Sequence, residues 1–471
     1  MKLELICLLF LIFAKTTTKA QIPDYVNNYF QYKVSKDINY GKDISYDGTE
    51  TELLLDIYKP TNDGNCRRPL MIMVHGGAWI GGSKEDLQIV EMSKELASKG
   101  WVVASINYRL GMHTTSSYTP YLLCPANNPA LCARVSDTSE VIRAIYRGMQ
   151  DAKGAIRFMK LRADLDSTDI NNTFVAGESA GAFISIYSAF LDQDDEKPSS
   201  CGQLSNAPKP DSYLNYCHKA SPNLTRPDLG DIHGKLHIGA VDESVQGVGC
   251  IYGGFLDMNI LLNKALPIYI FHQASDILVD YKKSKLLSRL STCLYNICEP
   301  FYNMPVVSGG FLIGEYYKNL GIKAPPYTAD IIENSTASDC TINPPGHAID
   351  NISLRVKNMV SLFAPIIISN GNSPKNNCST SVFMNNEVDH ISLYPNPGVG
   401  GFILSGLQDN HAIDKISLFD ALGRNLPIKI QIISEGVIEV KTEATLTPGL
   451  YLCQIRSQNN KWSKAWISNK N

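Results

Sequence analysis

Ten consecutive residues, Phe174-Val175-Ala176-Gly177-Glu178-Ser179-Ala180-Gly181-Ala182-Phe183, constrain this chain more than any other stretch. An apolar run enters a Gly-x-Ser-x-Gly turn and leaves it as a helix beginning at Ala180. A strand that reverses at once into a helix strains its corner residue, and bulky side chains two places away would collide there. The turn lifts the Ser179 hydroxyl clear of the sheet at the positive end of a helix, where an oxyanion is stabilised. Such a corner needs a sheet beneath it, and elsewhere a base, an acid and oxyanion donors.

The flanking sequence predicts that sheet. Residues 38–58 read as a hairpin about Tyr46-Asp47-Gly48-Thr49. Residues 70–74 form a continuous apolar run, expected of a strand buried on both faces. Helix 86–98, strand 101–106 and helix 137–161 follow, then the corner itself with its helix to about residue 191. Further strands are expected at 235–241 and 268–271, and late helices at 309–320 and 352–363. The alternation predicts right-handed crossovers and an α/β, mainly parallel sheet with helices on both faces. Two irregular stretches, 112–135 and 192–231, exceed ordinary connections and are expected to roof a pocket and set its preference.

At 471 residues the chain is long enough for more than one domain. Lys2, the apolar run from Leu5 to Ala14, and Thr18-Lys19-Ala20 predict a signal peptide over 1–20. That run is too short to span a bilayer, and no later stretch is expected to span one. A net charge of −3 gives no case for nucleic acid or an anionic membrane surface. Of twelve cysteines, Cys7 lies in the leader and Cys453 stands alone near the C-terminus, where a buried thiol is expected. The remaining ten permit up to five disulfides in an oxidising compartment, any of them equally able to stay a buried thiol. No pair has zinc-like spacing. Residues 369–387 turn to Asn and Ser, a linker, and the chain beyond reads as short strands of a small all-β sandwich-like domain.

The missing chemistry has candidates. His75-Gly76-Gly77-Ala78 ends a buried strand, so its backbone N–H groups can approach a substrate oxygen. Gly77, Ala78 and Ala180 are assigned to the oxyanion hole, with His75 bracing the loop. Asp276 follows strand 268–271 and is the chosen acid, with Asp280, Asp242 and Glu243 as competitors. His347, in a Gly-His loop before a terminal helix, completes the order Ser, Asp, His; His390 and His411 lie in the C-terminal segment. In this arrangement His347 takes the proton of Ser179, which attacks an acyl carbonyl, while Asp276 orients the ring. No metal or cofactor is expected.

These residues carry a resemblance. His75-Gly76-Gly77-Ala78-Trp79, Asn107-Tyr108-Arg109-Leu110-Gly111, Gly177-Glu178-Ser179-Ala180-Gly181, Asp276 with Val279, and Gly346-His347 resemble the α/β-hydrolase serine esterases, carboxylesterase and hormone-sensitive-lipase-like members especially. Ala78 stands where the commoner motif has a third glycine. The resemblance implies a serine carboxylic-ester hydrolase over 21–368, acting on a small-molecule or polymer-linked ester. Other readings are an inactive fold used for adhesion, a peptidase or a polysaccharide acyl esterase. Leu393-Tyr394-Pro395-Asn396-Pro397, Phe419-Asp420-Ala421-Leu422-Gly423-Arg424 and Pro448-Gly449-Leu450-Tyr451 make residues 388–471 similar to type IX secretion C-terminal sorting domains. That likeness implies passage through the periplasm and outer membrane, the secretion machinery as a partner, and a secreted or surface location.

Overall fold

The computed structural model describes residues 24–61, 65, 67–113, 135–208, 223–239, 241–289, 303–333, 346–370, 392–394, 399–405, 413–420, 424–434, 437–443, 445–457 and 461–468. The expected signal peptide, the linker beyond residue 370 and most of the first long insertion lie outside them, as do eight of the ten cysteines. The other two, Cys201 and Cys250, are buried free thiols, so the ten cannot make five disulfides. Cys453 is also a buried free thiol, as expected.

Eight strands form the central sheet: β1 (Gln31–Ile44), β2 (Glu50–Thr61), β3 (Arg68–Val74), β4 (Val102–Ile106), β5 (Thr168–Glu178), β6 (Val248–Ile251), β7 (Ile268–Gln273) and β8 (Tyr327–Ile332). Their spatial order is β1-β2-β4-β3-β5-β6-β7-β8. β2 runs antiparallel to both neighbours, and the pairs from β4 to β8 are parallel. The helices that matter here are α1 (Leu87–Ser98), α2 (Thr138–Leu161), α3 (Ala180–Phe190), α4 (Gly310–Leu320) and α5 (Ile352–Ser369).

All seven residues of β3 are buried, and the two-residue period divides them cleanly. Leu70, Ile72 and Val74 face α2, α3 and α4, while Met71 and Met73 face α1 and α5. β5 splits likewise, Val175 to one side and Phe174 and Ala176 to the other. Two apolar layers therefore clamp one sheet, which is why these strands read as unbroken apolar runs.

α5 is long and apolar enough to cross a membrane by length and composition. This corrects the expectation that nothing after the leader is. It packs Val356, Met359, Val360, Phe363 and Ile367 into the α1 side of the core, a role that makes the same apolar demand.

Two further strands differ from expectation. Residues 235–239 are turns rather than a strand, and the strand after the elbow is β6 instead. Its Val-Gly-Cys-Ile sequence is four residues long and carries glycine; Gly249 sits where a Cβ would lie 2.6 Å from both Ala176 and the Met359 sulfur. β8 was also not anticipated. It is an edge strand that is only half buried, so it lacks the apolar signature.

The irregular stretch after α3 is held by side chains of α2 instead of by a ladder. Arg143 donates to the carbonyls of Ser200, Gly202 and Pro227, Gln150 to those of Leu229 and Asp231, and Arg157 to those of His233 and Leu236. Two buried guanidinium groups and one buried amide thereby satisfy backbone acceptors of this stretch.

Two four-stranded antiparallel sheets make up the C-terminal part. Phe402, Leu404, Ile438 and Val440 of one share an apolar cluster with Leu418, Ile455 and Trp466 of the other, the all-β sandwich character expected there.

Candidate active site

The elbow lies at the C-terminal end of β5. Ser179 takes φ 51° and ψ −123°, a left-handed conformation that costs a non-glycine residue on the order of 1–3 kcal/mol. Two things hold it. Its N–H donates to the Ile251 carbonyl at 2.8 Å, and its own carbonyl accepts from Ala182 at 2.9 Å in the first turn of α3. The flanking glycines permit the fit. A Cβ on Gly181 would sit 2.1 Å from the Val74 oxygen, and one on Gly177 would sit 2.4 Å from the Gly181 carbonyl carbon.

Two candidates from the far end of the chain meet at this corner. His347 Nδ1 lies 2.8 Å from Asp276 Oδ2. Asp276, fully buried, also accepts from the N–H groups of Leu278 at 2.9 Å and Val279 at 3.0 Å through Oδ1. Burial alone would raise its carboxyl, but the His347 charge and the hydrogen bonds from His272 and His347 outweigh that and hold it down to about 2. His347 is raised above 6.5: burial opposes the imidazolium, and the charge and hydrogen bond of Asp276 overcome it. Nε2 of His347 has no hydrogen-bond partner among the described residues.

The loop carrying His347 is pinned on both sides. A Cβ on Gly346, at φ +77°, would meet Ser275 Oγ at 2.3 Å and the Asp276 nitrogen at 2.5 Å, so only glycine lets it pass over Asp276. On the other side the Ala348 carbonyl accepts from the Tyr252 hydroxyl at 2.7 Å and from Gln273 Nε2 at 3.0 Å. The Tyr252 ring lies against the imidazole, centroids 4.9 Å apart.

The competitors are occupied elsewhere. Asp242 binds Lys160, Glu243 binds Arg157 and His233, and Asp280 caps the N–H of Lys282.

After β3 the chain turns through Gly77 at φ +104°, Ala78 at +52° and Trp79 at +62°. Ala78 is thus held where glycine would rest without strain. His75 braces the turn: Nδ1–H donates to the Gly76 carbonyl at 2.7 Å and the ring stacks on Tyr108 at 4.4 Å. Burial holds His75 below its ordinary pKa, against the pull of its hydrogen bond to Gly76 and of the Asp86 charge. Tyr108 donates to the carbonyls of His75 and Gly76, Asn107 Oδ1 accepts from Lys84 N–H, and Gly111 N–H reaches the Trp79 carbonyl at 2.7 Å. The Asn107–Gly111 motif is therefore a buttress beneath the turn.

Ser179, His347, Gly77, Ala78 and Ala180 line one pocket of about 610 Å³. Its walls are largely apolar, with Trp79, Phe183, Leu278, Leu286 and Met304 among them. Met112, His113 and Leu224, from the described edges of the two long insertions, also line it. Glu178 lines it as well, its carboxyl raised by burial against the pull of the His347 charge. Sequence reading passed over Glu178, Tyr252, His272 and Gln273 as site residues. The last two were legible by position, since they end the strand that leads to Asp276; Tyr252 carried no local signal.

The sheet order, the crossovers and an elbow at the end of the fifth strand define an α/β-hydrolase fold. Comparison with known proteins gives partial matches. Residues 55–119 match the BD-FAE family model, and residues 392–469 match the secretion system C-terminal sorting domain. The chain is 27% identical to esterase LipC of Mycobacterium tuberculosis over 147 residues, 31% of this chain and 29% of that protein. It is 30% identical to fumonisin B1 esterase of Sphingopyxis macrogoltabida over 179 residues, 38% of this chain and 27% of the other. It thus matches less than a third of the length of either relative. A solved truncated carbohydrate esterase from gut microbiota is 16% identical, with a TM-score of 0.39 over 72% of this chain and 97% of that one. The C-terminal β part is a sorting domain of the type IX kind, which directs the chain to the cell surface or beyond.

Proposed function

We propose that the chain is an exported serine hydrolase that cleaves carboxylic esters through an acyl-enzyme on Ser179, with 21–368 as its catalytic domain and 388–471 as its sorting domain. The observation that carries this reading is the convergence of a strained Ser179, an Asp276-bound His347 and the open turn at Gly77-Ala78 on one pocket. The partial matches to esterases support it.

In this mechanism His347 Nε2 takes the Ser179 proton as Oγ attacks the ester carbonyl. Asp276 holds the ring through Nδ1–H and stabilises the imidazolium. The N–H groups of Gly77, Ala78 and Ala180 receive the oxyanion, with Ala180 at the positive end of α3. The imidazolium then protonates the leaving alkoxide, and water, deprotonated by the same ring, releases the acid. The apolar wall favours uncharged acyl and alcohol groups.

A fluorophosphonate is expected to modify Ser179 stoichiometrically, read by peptide mass mapping, and to abolish hydrolysis of p-nitrophenyl butyrate. Because His347 is raised above 6.5, the base is protonated below its pKa and cannot accept the serine proton. kcat/KM is therefore expected to fall about tenfold per pH unit on an acidic limb centred above 6.5. Labelling elsewhere, or a limb centred near 5, would contradict the assignment.

Deleting residues 388–471 is expected to leave an active enzyme that stays inside the cell envelope, measured as esterase activity in fractionated cells. Unchanged extracellular activity would show that export does not need this part.

A further inference from the structure

Asp276 is held by two histidines, and the mechanism uses only one. His272, fully buried in β7, lies four residues before Asp276, with Nε2 3.2 Å from Asp276 Oδ2 and 2.8 Å from the Val279 carbonyl. Its other nitrogen settles the proton. The N–H of Gly310, the first residue of α4, points at His272 Nδ1 from 3.2 Å. A backbone N–H can only donate, so Nδ1 carries a lone pair and the hydrogen sits on Nε2. That hydrogen bonds the Val279 carbonyl, and the Asp276 carboxylate lies beside it, 3.2 Å from the same nitrogen, where the contact lowers the carboxyl.

The contact with α4 is built into the sequence. A Cβ on Gly310 would lie 2.9 Å from Nδ1, 3.0 Å from the His272 Cβ and 2.8 Å from the Ile270 methyl. Any larger residue would push the helix end off the imidazole.

We infer that His272 is a positioning residue that acts through Asp276: locked as the Nε2–H tautomer by α4, it is a second, permanent donor to the oxygen that His347 uses. The inference rests on the triad reading above. Two donors on one oxygen compete for its electron density. The carboxylate therefore binds the imidazolium of His347 less strongly than it would alone, which keeps the base nearer neutrality. The same bond fixes Oδ2 in the direction from which His347 is aimed at Ser179.

The other charged or titratable groups around the pair come from separate elements. Glu178 faces His347 from the elbow, and the Tyr252 ring lies tilted against it from the end of β6. Arg289 donates to the carbonyls of Ala274 and Asp276, on the main chain behind the carboxylate.

Two substitutions in the full chain separate the nitrogens. In His272→Asn the amide oxygen stands in for Nδ1 and keeps the Gly310 bond, but nothing reaches Asp276. In His272→Gln the amide nitrogen reaches the position of Nε2 and restores the donor. A hydrogen bond to a charged group is strong enough for its loss to move the acidic limb of kcat/KM upward by about one pH unit in the Asn variant. Plateau kcat is expected to fall about tenfold per phosphonate-titrated site, with KM within about twofold. The Gln variant should return the limb towards the wild-type position.

An Asn variant with the wild-type limb and kcat overturns the inference, and so do equal limbs in the Asn and Gln proteins. Should the Asn variant not fold, nitrogen chemical shifts of labelled histidine in the wild-type protein decide the matter. The neutral ring of His272 should show a protonated Nε2 and a bare Nδ1, and the Nδ1–H tautomer overturns the proposal. Full activity of Ser179→Ala would instead sink the underlying triad reading. If Ser179→Ala is inactive while His272→Asn behaves as wild type, only the role of His272 falls.

Discussion

Ser179→Ala is expected to lower kcat for p-nitrophenyl esters by about 10⁴–10⁶-fold while leaving the fold and export unchanged. The magnitude follows from what remains. Without Oγ no acyl-enzyme forms, and His347 has nothing to deprotonate but water. On the proposed mechanism the oxyanion donors and the pocket still bind the ester, which sets the residual rate. The substitution itself is mild. Alanine has the same backbone needs as serine at φ 51°, and the strain is already met by the N–H of Ser179 on Ile251 and by the turn into α3. Circular dichroism and secretion should therefore match wild type. Activity within tenfold of wild type would mean that another nucleophile does the work.

Gly181→Ala is expected to be nearly as harmful to activity and, unlike the serine change, to destabilise the chain. The new methyl would stand 2.1 Å from the Val74 carbonyl oxygen and 2.5 Å from that of His75. Both are backbone atoms at the end of β3, so neither can move aside as a flexible side chain would. Overpacking of this kind costs about 1–3 kcal/mol. The relief available is to slide α3 away from β3, which carries Ser179 and Ala180 away from Gly77 and Ala78. A displacement of about 1 Å at a catalytic group costs on the order of 100-fold in rate. Thermal denaturation and kcat, measured together, check this; wild-type values for both would show that the elbow tolerates a methyl group and that the close approach is not required.

Several predictions from the sequence depended on local rules that the structure also obeys. β3 was legible because strands covered on both faces must be apolar at every position. The elbow was legible because its glycines are required by contacts a few residues away. The order Ser179, Asp276, His347 could be guessed by elimination, since His347 is the one histidine between Asp276 and the C-terminal segment. Where local rules are weak, the reading failed. β6 is short and carries glycine because Ala176 and Met359 crowd it. The stretch at 235–239 looked like a strand, yet its Leu236 packs against Gly41 and Gly154 from a turn.

The sequence by itself determined the chemistry available: a serine at a sharp corner, small residues around it, an acid and a histidine far downstream, and a separate β segment for sorting. Those choices are local, because strain and close approach select residue types within a few positions. The tertiary structure decided the partnerships. That Asp276 rather than Asp242 reaches His347 depends on which loop crosses the end of β7. That the Asn107–Gly111 segment buttresses the Gly77–Trp79 turn depends on β4 lying beside β3. That His272 shares the same carboxylate depends on α4 delivering an N–H to its other nitrogen. Each joins residues 23 to 71 positions apart only through the order of strands in one sheet, and no local pattern in the chain encodes that order.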